Sequence, residues 1–226
     1  MSNGSSSKGD QLVAQFEVVR PESPDNKIRI EFMGKPGIGV LTGPSGSGKT
    51  TIFDCIAGLN NPTRGFIKLG EKVFCDVAKK ISLSPQERRI GYVLQRPSLF
   101  PHMTIRQNIA YAMTDILRGQ ENHRLTELAE QFGITAYLDR RPNQISGGQA
   151  QRVAIVRAIA SKPEVFLLDE PLSNLDDQAR HEMLAAIKEI RRLTAKPILY
   201  ITHSANEASE LADYRITGMN GEFRSF

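Results

Sequence analysis

The stretch Gly43-Pro44-Ser45-Gly46-Ser47-Gly48-Lys49-Thr50 constrains the fold of this chain more than any other. Its G-x-x-x-x-G-K-[ST] spacing is that of a phosphate-binding loop, which must follow a buried strand and open a helix. The flanks meet that demand. Ile38 to Thr42 is a short apolar run, read as a buried strand. Lys49 to Leu59 reads as a helix whose inward stripe is Ile52, Phe53, Ile56 and Ala57. Gly43, Gly46 and Gly48 allow backbone N–H groups to curl closely around anionic oxygens. The helix start turns its positive end toward the same oxygens. In this motif Lys49 reaches the β and γ phosphates and Thr50 places its hydroxyl on Mg²⁺. Pro44, Ser45, Ser47 and Thr51 complete the cradle. By itself the loop leaves ATPase, GTPase and kinase open.

Val165-Phe166-Leu167-Leu168-Asp169-Glu170 supplies the other half of such a site. The apolar run reads as a central parallel strand, and Asp169 ends it where it can hold Mg²⁺. Glu170 follows and can polarise an attacking water. Phosphoryl transfer needs positioning and charge neutralisation more than covalent chemistry, so paired carboxylates at a strand end suit it.

The remaining pattern alternates strands and helices, which argues for an α/β core. Gln11 to Val19 alternates weakly and reads as an edge strand, 21–26 as a turn, and Lys27 to Met33 as a second strand with Ile28, Ile30 and Phe32 on one face. Together they predict an N-terminal antiparallel subsheet. Gly65 to Leu69 and Glu71 to Phe74 read as a hairpin around Gly70, and 76–89 as loop with one helical turn. Ile90 to Leu94 is a further buried strand. Thr104 is placed to cap a helix running to Ala112, and 113–139 is helical in pattern with a break near Gly133. A helical subdomain is expected over about 96–157. Gln149 to Ser161 and Gln178 to Leu193 read as helices, Pro197 to Thr202 as a strand ending at His203, and Asn206 to Ala212 as a short helix. Tyr214 to Phe223 reads as a terminal hairpin, with Asn220-Gly221 a type I′ turn signal.

Bulk properties narrow the class. The chain has 226 residues, 29 Lys and Arg against 25 Asp and Glu, and a net charge of +4. The basic residues are scattered, so no nucleic-acid partner is expected. No apolar run approaches the roughly 18 residues of a membrane span. Cys55 and Cys75 have neither metal-ligand spacing nor a disulfide framework. Residues 1–10 are rich in Ser and Gly and read as a flexible tail, leaving 11–226 as one domain built around the phosphate loop. No internal repeat is visible.

Gln95, Ile145-Ser146-Gly147-Gly148-Gln149, Ser173 to Asp176 and His203 join the phosphate loop and the acidic pair as six elements. Together they resemble the nucleotide-binding (ATPase) subunits of ABC transporters, and the resemblance covers nearly the whole chain after the tail. Beyond the phosphate loop and the acidic pair, Gln95 matches the family's glutamine loop. Ile145-Ser146-Gly147-Gly148-Gln149 matches its Leu-Ser-Gly-Gly-Gln signature, with Ile in place of Leu. Ser173-Asn174-Leu175-Asp176 matches its D-loop and His203 its switch histidine. The resemblance implies a P-loop NTPase core of ABC type with an N-terminal antiparallel β subdomain and a helical subdomain. It also implies a head-to-tail homodimer with ATP at the interface. Ser146, Gly147, Gly148 and Gln149 would then meet the γ phosphate held by Lys49 of the opposite subunit, and Asp176 would act across the interface. Gln95 would sense Mg²⁺ and the water, and His203 would contact the γ phosphate and steady Glu170. The family stacks adenine on an aromatic residue upstream of the loop; Phe16 and then Phe32 are the candidates here, each more readily read as core.

The segment Leu83 to Asn108, including Leu99-Phe100-Pro101-His102, is similar to molybdate-importer ATPases, with sulfate, polyamine and sugar importers sharing much of it. That likeness implies an importer on the cytoplasmic face of the membrane, working with permease subunits and an extracytoplasmic substrate-binding protein. Leu99, Phe100 and Met103 could line a groove for a short permease helix. No C-terminal regulatory β domain is expected. Exporter ATPases share the same catalytic residues. Soluble relatives acting on ribosomes or in DNA repair fit less well, given one phosphate loop and no sustained heptad region.

Overall fold

A computed structural model of the chain describes residues 11–20, 23–34, 37–113, 121–173 and 175–225. The tail at 1–10, residues 21–22 of the turn read at 21–26, part of the helical stretch read at 113–139 and Asn174 lie outside the described residues; residues 23–26 of that turn are strand instead, extending the one read at 27–33.

Short apolar runs form the parallel strands β3 (Ile38–Thr42), β7 (Ile90–Val93), β8 (Val165–Asp169) and β9 (Ile198–Ile201). Every residue of β8 and β9 is buried, as strands covered on both faces require. The alternating runs form β1 (Leu12–Arg20), β2 (Ser23–Met33), β4 (Arg64–Leu69) and β5 (Lys72–Asp76), followed by the two-residue β6 (Ile81–Ser82). The chain ends in the hairpin of β10 (Tyr214–Met219) and β11 (Glu222–Ser225). Asn220 and Gly221 both have positive φ, 51° and 79°, as a type I′ turn needs.

Among the described residues these strands make one sheet, ordered β6-β5-β4-β1-β2-β11-β10-β3-β9-β8-β7. β11 pairs with β2 in parallel and so welds the antiparallel limb to the parallel core. β1 corrects the sequence reading. It is no edge strand but lies between β2 and β4, with Phe16 opposite both Ile30 and Gly65. Alternation encodes which face is buried, not how many neighbours a strand has.

Helices cover both faces. The helix α1 (Lys49–Ala57) packs with the antiparallel limb on one side, through Ile52, Phe53 and Ile56. Between β5 and β7 comes α2 (Pro85–Arg88), and between β7 and β8 come α3 (Ile105–Ala110), α4 (Glu121–Gln131) and α5 (Gly147–Ala160). Thr104 caps α3 in a capping box with Gln107, as its position predicted. α6 (Asp177–Thr194) and α7 (Ala205–Leu211) join α3 to α5 on the opposite face of the core.

One buried cation fixes α1 from its far end. Arg88, with 0% exposure, donates from Nη1 to the carbonyls of Cys55 and Ile56 at 2.6 and 2.9 Å, and from Nε to Leu83 O at 2.9 Å. A positive group at the C-terminal carbonyls of the phosphate helix complements its dipole. Arg88→Met keeps the bulk but leaves carbonyls unbonded, and is expected to cost about 2–4 kcal/mol of stability. Urea denaturation of the two proteins measures it.

Candidate active site

The loop between β3 and α1 is held where the motif requires. Gly48 sits at φ 106°, and a Cβ there would fall 2.4 Å from Ile28 Cδ1. No L side chain suits either condition. Lys49 is 5% exposed, and its Nζ donates to Gly43 O and Pro44 O at 3.0 and 2.9 Å. Burial lowers its pKa, while the carboxylates of Glu170 and Asp169 oppose that fall. Thr50 Oγ1 donates to Asp169 Oδ2 at 3.0 Å. Burial raises the Asp169 pKa, against the Thr50 hydrogen bond, which lowers it.

Glu170 leaves the end of β8 at φ 44°, a left-handed conformation that costs a non-glycine residue energy. The surroundings impose it. Its N–H donates to Ile201 O at 3.1 Å, and its carbonyl accepts from Ser173 N and Oγ at 3.1 and 2.9 Å. The side chain is thereby aimed at two partners from other elements. His203 Nε2 lies 2.7 Å from Oε1, and Gln95 Nε2 donates to Oε2 at 3.4 Å. The residues read as catalytic converge on one carboxylate, although Gln95 and Glu170 are 75 positions apart. With Ser45, Lys49 and Thr50 these three line a cleft of about 520 Å³.

The second group of expected site residues stands elsewhere. Ser146, Gly147, Gly148, Gln149 and Asp176 line a separate cleft of about 500 Å³, and none of them lines the first. Ser146 caps α5. Its Oγ accepts from Gln149 N at 3.2 Å, and Gln149 Oε1 accepts from Ser146 N at 3.0 Å. A Cβ on Gly147 would meet nothing within 4 Å, so its backbone is open to an outside ligand. Asp176 caps α6 by accepting from Ala179 N at 2.8 Å. Sequence reading gave Gln149 and Asp176 only a nucleotide role; each also helps to start a helix. The available signals were the Ser146-x-x-Gln149 spacing of a capping box and an Asp ahead of the amphipathic run at 178–193.

Neither adenine candidate is presented to the first cleft. Phe16 and Phe32 are each 3% exposed and belong to the core beside α1. Alternation on β1 and β2 puts both rings on the inward face.

Two further residues bear on the cleft without having been read from sequence. Asp54 is four residues beyond Thr50 on α1 and accepts from Tyr92 Oη at 3.2 Å. Its spacing from Thr50 placed it on the same helix face. Gln151 Nε2 donates to Leu94 O at 3.0 Å, fixing the chain just before Gln95.

Thr50 and Asp169 offer hard oxygens side by side. Among the described residues no group of three or more His, Cys, Asp or Glu could hold a metal by itself. One hydroxyl and one carboxylate fit Mg²⁺, which keeps waters and takes phosphate oxygens rather than a full protein cage.

An open phosphate loop around a buried lysine, a strand-end acidic pair and a separate Ser-Gly-Gly helix start, on a sheet of this order, define a nucleotide-binding cassette. The family profile of ABC transporters matches residues 33–173, and the chain belongs to that family. It is 43% identical over 194 residues to the molybdenum import ATP-binding protein ModC of Pseudomonas savastanoi pv. phaseolicola, covering 85% of this chain and 54% of that protein. It is 46% identical over 183 residues to the trehalose/maltose import ATP-binding protein MalK of Thermococcus litoralis, covering 80% and 49%. The chain thus spans about half the length of the curated relatives it matches. A dimeric ATP-binding cassette in a post-hydrolysis state with ADP and Pi superposes with a TM-score of 0.77 at 26% identity, covering 94% of this chain and 96% of that one. The fold is shared also with cbiO1 of Clostridium perfringens, with a TM-score of 0.79 at 22% identity over 94% and 86%.

Proposed function

We infer that this chain is the ATP-hydrolysing subunit of an ABC importer, and that its cargo is molybdate or a similar oxyanion. The observation that carries the ATPase reading is the convergence of Gln95, Glu170 and His203 beside Lys49 and Thr50 in one cleft. The cargo reading rests on kinship with the molybdenum import proteins.

In this reading Lys49 leaves its own loop carbonyls for the β and γ phosphates, joined by the backbone N–H groups of 45–51. Glu170 orients a water and accepts its proton as the water oxygen bonds to the γ phosphorus. The bond from that phosphorus to the bridging oxygen of ADP breaks. His203 and Gln95 hold the carboxylate in place. Thr50 and Asp169 would hold Mg²⁺, whose charge offsets that of the phosphates.

The signature cleft cannot serve the same molecule's phosphate loop while it stands apart from it. Two copies arranged head to tail would bring Ser146 to Gln149 and Asp176 of one against the nucleotide of the other. Binding of two nucleotides would shift the assembly toward the closed state, and hydrolysis would release it. No described helix is long and apolar enough to cross a membrane. We place the chain on the cytoplasmic face, bound to permease subunits that work with an extracytoplasmic binding protein.

The segment 96–157 is taken as the helical subdomain that meets the permease. Phe100 stands edge-on to Tyr111 with ring centroids 4.9 Å apart, under the Arg157 guanidinium at 5.5 Å. Tyr111 is 62% exposed. Asn108, fully buried, shapes this surface by binding Phe100 N, Phe100 O and Thr104 O at 2.7, 3.1 and 3.0 Å. Asn108→Ala is expected to cost about 1–3 kcal/mol of stability, and to weaken permease capture with ATP affinity unchanged. A pull-down from membranes beside an ATP titration reads both.

The whole reading is tested by isolating the chain with Mg·ATP from native membranes and identifying what accompanies it by mass spectrometry. An integral permease with an anion-binding protein is expected. Ribosomal or DNA-repair partners without a permease would move the assignment.

A further inference from the structure

We propose that Arg180 and Glu207 form a relay that positions His203 according to the state of the 175–177 segment; the proposal rests on the ATPase reading above.

Ser204-Ala205-Asn206-Glu207 has the S-x-x-E spacing of a capping box. Only half of the box is made. Ser204 Oγ accepts from Glu207 N at 3.3 Å, which suffices to start α7. The Glu207 carboxylate does not return to the Ser204 N–H. It turns inward, leaving the residue 9% exposed, and Oε2 accepts from Tyr200 Oη at 2.8 Å and Thr202 Oγ1 at 2.5 Å. Thr202 Oγ1 in turn accepts from Ser204 N at 3.0 Å. The backbone on both sides of His203 is therefore tied to one carboxylate.

Burying a carboxylate is costly unless it is fully bonded, and a helix start does not require it. The other oxygen shows what the placement achieves. Glu207 Oε1 faces Arg180 Nε at 3.9 Å. Arg180 Nη2 donates to Leu175 O at 3.2 Å, and Nη1 pairs with Asp177 at 2.7 Å. Leu175 and Asp176 line the signature cleft, whereas His203 touches Glu170 in the phosphate cleft. A continuous set of polar contacts thus runs between the two clefts of one chain. A shift of 175–177 on engaging the partner's nucleotide moves Arg180, and through Glu207 and Thr202 the backbone that carries His203. Neither Arg180 nor Glu207 lines the phosphate cleft, so both act on hydrolysis by positioning.

The test measures Mg·ATP turnover and melting temperature for the unaltered chain, Glu207→Gln, Arg180→Met and the double variant. Gln is isosteric but cannot accept from two hydroxyls and balance a guanidinium equally well. Each single variant is expected to lower kcat about tenfold with KM for ATP within about twofold, and the double variant to fall no further than either single one. Unchanged kcat in a folded single variant overturns the relay, as do losses that multiply in the double variant or that reside in KM. If Glu207→Gln fails to fold, Arg180→Met decides by the same kcat criterion, its side chain being 38% exposed. An unaltered chain that does not hydrolyse ATP overturns the functional reading and the relay together. An active parent with unaffected variants overturns the relay alone.

Discussion

Glu170→Gln is expected to slow ATP turnover by a factor of about a hundred to ten thousand, the range for removing a positioned general base. ATP binding is expected to survive. The carboxylate takes no part in holding the phosphate loop, and the amide fits the same space. His203 lies 2.7 Å from one oxygen and Gln95 3.4 Å from the other, so both lose the charge they are arranged around. The left-handed backbone at 170 is set by Ile201 and Ser173, not by the carboxylate, and should persist in the variant. Single-turnover phosphate release beside equilibrium nucleotide binding separates the two effects. Turnover like that of the parent would remove Glu170 from the chemistry.

Lys49→Ala acts at the earlier step. The ammonium is almost fully buried, and burial already disfavours its charge. Its two carbonyl partners hold it in the loop, and a polyanion would compensate it far better. Truncating one side of such a charge pair costs about 2–5 kcal/mol, so ATP affinity is expected to fall at least about thirtyfold. The loop itself should keep its shape, because Gly48 against Ile28 and the start of α1 fix it independently. Fluorescent-nucleotide titration gives the affinity. Parent-like affinity and turnover together would deny Lys49 its phosphate role.

Most of the α/β core could be read from the sequence because its signals are local. The strands at 38–42, 90–93 and 165–169 are short, mainly apolar runs against loops with fixed spacing. The hairpin at 220–221 follows from two residues that tolerate positive φ. What escaped reading is what depends on neighbours. β1 looks like an edge strand until β4 arrives on its other side from 44 or more residues away, and β6 is only two residues long. Arg88 is polar in a polar stretch, and nothing local says that three carbonyls await it. Glu207 fits a capping box by spacing, yet its carboxylate serves Tyr200 and Thr202. The site residues were legible as types at intervals. Their division into two clefts followed only from the family resemblance, because no local signal says where α5 and α6 begin relative to the sheet.

The central claim is that one molecule's signature completes the other's phosphate site. The most direct measurement is sedimentation of Glu170→Gln with and without Mg·ATP, alone and combined with Ser146→Arg. The account predicts one copy without nucleotide and two with it. It predicts that Ser146→Arg abolishes the pairing while each copy still binds ATP through Lys49 and Thr50. A Glu170→Gln chain that stays single when saturated with ATP, or a pairing that survives Ser146→Arg, would contradict it.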